Sequence, residues 1–120
     1  MEPIVCLTID GDPVSKQRPR IGKAGKAYTP RATKQAESVI AWTIRADSRS
    51  MKPSSGLFSV HVWFFTKDLR RRDIDNLCKT VLDACNGIVW DDDSQVVELH
   101  ACVERGSPRP RTVLLIKRKQ

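Results

Sequence analysis

Between Arg70 and Asp93 the chain gathers the residue types that phosphate chemistry uses. The run "RRRDIDN", Arg70 to Asn76, sets three arginines against two aspartates one residue apart, and "WDDDSQVV" adds Asp91, Asp92 and Asp93. Mg²⁺ is a hard cation that takes oxygen ligands, usually one or two carboxylates completed by water and substrate phosphate. In phosphodiester hydrolysis such an ion activates water and stabilises the charge that grows on the phosphate, often with a second ion. Lys79 could neutralise that charge or protonate the leaving oxygen. Arg70, Arg71 and Arg72 could hold a strand by its phosphates. The same residues also admit a plainer arrangement. Asp73 and Asp75 could pair with the arginines, Asp75 with Lys79 at i,i+4, Asp73 could cap a helix, and Asp91 to Asp93 could form a turn.

The segment that must position these groups reads as a helix. In "DIDNLCKTVLDACNGI" the apolar residues Ile74, Leu77, Cys78, Val81, Cys85 and Ile88 recur at amphipathic-helix spacing, and Asn86-Gly87 supplies the stop. Asp75, Asn76, Lys79 and Asp83 then share the polar arc, with Asp75 one turn below Lys79. Asp73 falls at the helix start, where a carboxylate suits the free amides. If the "WDDD" turn folds back across that end, its carboxylates join the pair.

Upstream, Pro3 to Asp10 reads as a first strand and "LFSVHVWFF" (Leu57 to Phe65) as a central strand buried on at least one face. A Thr-Pro start signal and apolar residues at Ala36, Val39, Ile40 and Ile44 predict a helix from about Pro30 to Ser48. After the acidic turn, "SQVVELHACVE" and "PRTVLLIK" read as two strands joined by "RGSPRP" in an antiparallel hairpin. The order β-α-β-α-β-β predicts a single small α/β (α+β) domain over residues 1–120, with about four strands in a mixed sheet and two helices.

Gly11 to Pro30 holds three glycines, three prolines and five basic residues against one acid. It reads as a basic arm whose Lys16, Arg18, Arg20, Lys23 and Lys26 would lie along DNA phosphates, or as a solvated loop. Net charge is +7. The stretch Asp68 to Asp93 has seven acids and four bases, net −3, so the remainder carries +10. A basic body with one acidic pocket points to a polyanion partner. No apolar run suffices for a membrane span, and "MEPIVCLTID" lacks a basic n-region followed by an apolar h-region, so the expected address is cytoplasmic. Cys6, Cys78, Cys85 and Cys102 form no metal-binding or disulfide spacing, and His61 and His100 read as structural.

As a composite, "RRRDIDNLCKTVLDACNGIVWDDDSQVVEL" resembles the signature of the RusA family of Holliday-junction resolvases, common in phages and prophages. The elements are an arginine-rich lead into D-[IL]-D-N, a lysine one turn on, an "LDA"-like run, then W-x-D-D-x-Q-V. The resemblance implies catalytic, metal-holding aspartates at Asp73, Asp75 and Asp93, with Asp92 as the alternative to Asp93, and an active-site lysine at Lys79. Asp91 is the least supported of the three, and Asp83 reads as a supporting or surface residue. The resemblance also implies Mg²⁺ (or Mn²⁺), a homodimer, and symmetric nicking of opposed strands of a four-way junction in recombination and repair. The readings set against it are a less structure-selective phage nuclease and a non-catalytic basic DNA-binding protein.

Overall fold

A computed structural model describes residues 3–17, 20–28, 30–48 and 52–120. Strand β1 spans Val5–Asp10, and β2 (Arg20–Ile21) and β3 (Ala27–Tyr28) form a small antiparallel ribbon. Helix α1 (Arg31–Asp47) leads to β4 (Leu57–Phe65), and α2 (Ile74–Cys85) to a 3₁₀ turn at Asp93–Gln95. Strands β5 (Val96–Glu104) and β6 (Arg111–Lys119) follow. The fold is α+β, a four-stranded mixed sheet with two helices, in strand order β1-β6-β4-β5.

Period-two burial in β4 explains the layering. Phe58, Val60, Val62 and Phe64 are buried, and they meet Leu77, Val81 and Cys85 of α2 and Ile40 and Ile44 of α1 in one core. Burying each such side chain contributes about 1.5–3 kcal/mol. The alternate residues of β4 face away from the helices. Trp90, with no exposed surface, packs its ring on Phe58 at 5.4 Å between centroids and donates its indole N–H to Asn86. Gly87, at φ +78°, takes the left-handed conformation that ends α2, as Asn-Gly predicts.

Two expectations are corrected. Strands β5 and β6 do not form a hairpin: β5 pairs parallel with β4, while β6 lies between β4 and β1, antiparallel to both. The linker crosses the end of β4, where Ser107 N donates to Thr66 O and Gly106 N to Asp68 O. The reason is burial. Strand β6 buries Thr112, Leu114 and Ile116 and suits an interior position, whereas β5 has no fully buried residue and carries Glu98 and His100, which suits an edge. The arm is also more ordered than a loop, since β2 and β3 pair Arg20 with Tyr28 and Ile21 with Ala27. Among the described residues, no helix is long and apolar enough to cross a membrane.

Candidate active site

The loop leading into α2 is pinned by its own charges. Asp68 accepts from the backbone N and the Nε of Arg70, both at 3.1 Å. Arg72, with only 10% of its side chain exposed, reaches Asp12 at 2.9 Å and Asp68 at 3.4 Å. Lys67 N also donates to Asp12. Neighbouring arginines hold the Asp68 carboxyl below its usual range, against a burial effect of opposite sign, through the Arg70 amide first. Arg72 thus ties the loop to the base of the arm. Arg70 and Arg71 are left at the surface.

None of these arginines pairs with Asp73 or Asp75 among the described residues. Asp73 occupies the N-cap position of α2, but its carboxylate makes no capping hydrogen bond and accepts only from Asn76 Nδ2 at 3.3 Å. Asp75 is exposed in the first turn, with no hydrogen bond or ion pair from its side chain among the described residues. Two neighbouring carboxylates therefore stand free of ion pairs, among the described residues, at a helix N-terminus where the dipole favours negative charge.

Lys79 lies one turn above Asp75 and turns the other way. Its Nζ is 3.3 Å from Asp83 and 3.4 Å from Asp93. The Asp83 hydrogen bond and charge, then Asp93, raise its pKa above the usual lysine value. Asp83 also takes Lys16 at 3.2 Å, and Lys16 pairs with Glu37. Burial alone would lower the Lys16 pKa, but the hydrogen bonds it donates to Glu37 and Asp83 outweigh it. A chain of alternating charge, Glu37–Lys16–Asp83–Lys79–Asp93, joins α1, the arm, α2 and the acidic turn.

That turn is built by one amide. Gln95 Oε1 accepts from Asp91 N at 2.9 Å and Asp92 N at 3.0 Å, while its Nε2 donates to Ser54 O at 2.7 Å and Gly56 O at 2.9 Å. Asp92 caps the 3₁₀ turn by accepting from Ser94 N at 3.0 Å, and the Ser94 contact leads the causes that lower its pKa. The aspartates are thereby divided. Asp92 is spent on the turn, Asp93 faces Lys79, and Asp91 is exposed. Asp73, Asp75 and Asp93 present an all-oxygen donor set suited to a hard cation. They are less tightly drawn together than His61, Glu98 and His100, which form the one group of three such ligand atoms within 4.8 Å among the described residues.

Residues 10–117 match the family model for endodeoxyribonuclease RusA. The chain belongs to the RusA family. No curated protein matches it.

Within this RusA-family chain the basic residues expected to meet DNA are placed unevenly. Lys16 is half-buried in its ion pairs, and its backbone N donates to Asn76 O at 2.9 Å, so the arm springs from the first turn of α2. Arg18 lies outside the described residues, and Arg20 belongs to β2. Lys23 and Lys26 are exposed at the turn of the ribbon, which Gly22 N→Lys26 O closes at 3.0 Å. Sequence reasoning passed over Asp12, Asp68 and the structural part of Gln95. The capping-box spacing Asp92-x-x-Gln95 was the available signal for the last. Asp12 and Asp68 had none, because their partners are set by tertiary contact.

Proposed function

We propose that this chain is a divalent-metal-dependent, structure-selective endonuclease that resolves Holliday junctions and related branched DNA by nicking opposed strands symmetrically. The observation that carries the reading is Asp73 and Asp75, free of ion pairs among the described residues, beside the Lys79–Asp93 pair, while Asp68, Asp83 and Asp92 of the same stretch and Asp12 of the arm are engaged elsewhere. Asp73, Asp75 and Asp93 would hold Mg²⁺, or Mn²⁺ in its place. When bound, that ion supplies Lewis-acid stabilisation of phosphate charge and a more acidic water. Lys79, a cation held by Asp83 and Asp93, is placed to neutralise phosphate charge or protonate the leaving oxygen. Arg70 and Arg71 hold strand phosphates next to the carboxylates, and Lys23 and Lys26 extend that contact along the arm. Resolution needs two cuts, and one acidic site per chain supplies one. A homodimer with twofold symmetry supplies the pair.

A synthetic four-way junction, incubated with wild type, Asp75→Asn, Asp93→Asn and Asp92→Asn, with and without Mg²⁺, tests this. Paired nicks are expected from wild type with metal. Asp75→Asn and Asp93→Asn should lose at least about a hundredfold in rate, the scale of a lost electrostatic contribution, while still shifting the junction on a native gel. Asp92→Asn should cut. Equal cutting by Asp75→Asn and wild type would overturn the carboxylate assignment. Binding without cutting by any of the proteins would identify a non-catalytic DNA-binding protein, and equal cutting of linear duplex would remove the structure selectivity.

A further inference from the structure

The two histidines, far apart in sequence, meet on the sheet face that neither helix covers. His61 of β4 sits directly across from His100 of β5, and Glu98, two residues before His100, lies on the same face opposite Ser59. The imidazoles stack with centroids 4.5 Å apart at 23°. Glu98 Oε1 is 3.0 Å from His100 Nε2 and 3.2 Å from Ser59 Oγ, and Glu98 Oε2 accepts from Lys119 Nζ at 2.7 Å. One ligand atom from each of His61, Glu98 and His100 lies within 4.8 Å of the other two. On the opposite side of the same strand, Val60 and Val62 are buried in the core against the helices, so the sheet separates this cluster from the α2 acids.

We infer that His61, Glu98 and His100 form a second metal site, selective for a transition cation of the zinc class and distinct from the aspartate site. Two nitrogen donors and one carboxylate suit Zn²⁺, Co²⁺ or Ni²⁺ and are poor ligands for Mg²⁺. Tetrahedral zinc with bonds of about 2.0–2.1 Å sets its ligand atoms about 3.3 Å apart. The Glu98–His100 spacing already meets that. His61, half-buried on a strand paired on both sides, closes the remainder by side-chain rotation. Ser59 and Lys119 orient the carboxylate from behind, the supporting role that outer partners play at metal sites. The fourth position faces solvent and takes water. An ion here joins edge strand β5 to central β4 by side chains as well as backbone, just downstream of the turn that carries Asp93.

Untagged, EDTA-stripped full chain titrated with Co²⁺ tests the site, followed by visible absorbance and by ¹H–¹⁵N spectra of the imidazoles. The expected result is saturable binding of one ion with d–d bands, broadened His61 and His100 resonances, displacement by Zn²⁺, and none by a millimolar excess of Mg²⁺. His61→Ala and His100→Ala should each weaken binding at least about tenfold, since losing only an outer partner already costs about 10–100-fold. The imidazole spectra of wild type decide the matter even if a variant fails to fold. Unperturbed His61 and His100 resonances, a thiolate charge-transfer band in the near ultraviolet, displacement by Mg²⁺, or variants that bind like wild type would overturn the assignment.

Discussion

Replacing Gln95 by alanine removes four hydrogen bonds at once. Two carry the backbone of Asp91 and Asp92, and two fasten them to Ser54 O and Gly56 O before β4. A net intramolecular hydrogen bond is worth about 0.5–1.5 kcal/mol, and water replaces exposed ones readily. Three of these four are exposed and fall at the low end, while the bond to Ser54 O is part-buried and falls at the high end. The sum is about 2–3 kcal/mol, a fall in Tm of about 10 °C for a chain of this size. Thermal unfolding followed by circular dichroism reads it. Gln95→Glu tests the donor half: a carboxylate oxygen in place of Nε2 faces the Ser54 and Gly56 carbonyls and is repelled, so its Tm should fall at least as far as that of Gln95→Ala. The acidic turn should also lose its alignment with α2. At a temperature where both proteins are folded, junction cutting by Gln95→Ala should therefore fall further than the folded fraction does. A Gln95→Ala protein that melts with wild type would refute the view that this amide holds the turn.

Two further outcomes follow from burial and charge. Burial pushes the Cys85 thiol up to about 12 and, with the charge of Asp75 adding to it, Cys78 up to about 11. Cys6 and Cys102 are exposed. A colorimetric thiol reagent on native protein at neutral pH should titrate two thiols promptly and the other two only with denaturant; four prompt thiols would contradict the packing of α2. Hydrogen bonds from Lys119 first, then His100, bring Glu98 from 4.5 to about 2. Its folded pKa is depressed, so its contribution to stability is present above about pH 4.5 and disappears as pH falls toward about 2. The Tm gap between wild type and Glu98→Gln should narrow over that window, and a gap undiminished at pH 2 would refute the ion pairing.

Elements whose burial follows their own periodicity were legible from residues alone. Strand β4 runs from Leu57 to Phe65 as expected, and α2 ends at Asn86-Gly87. What local pattern does not carry is the choice of partner. The "RGSPRP" linker has the length of a hairpin loop, yet β6 is drawn to the interior by Leu114 and Ile116 and leaves β5 at the edge. The same limit applied at the site. Lys79 has an aspartate four residues on either side, Asp75 and Asp83, and helix propensity alone prefers the N-terminal one. Asp93 and Lys16, brought in from other parts of the chain, settle it for Asp83. The triplet Arg70 to Arg72 was legible as a cluster, but that Arg72 belongs to Asp12, sixty positions earlier, was not.

The interior position of β6 bears on how the protein is made. Val5 pairs with Ile116 and Leu57 with Lys119, so the sheet closes only when its last strand slots between two that were synthesised well before it. Pairings of such sequence separation fold slowly. On the ribosome, β4 must wait with one side bare until residues 111–119 emerge from the exit tunnel. Until then the framework that sets the α2 acids against the basic arm is unfinished. Translation itself thus delays completion of the sheet, and a nascent or prematurely stopped chain lacking β6 holds neither the α2 acids nor the arm in place.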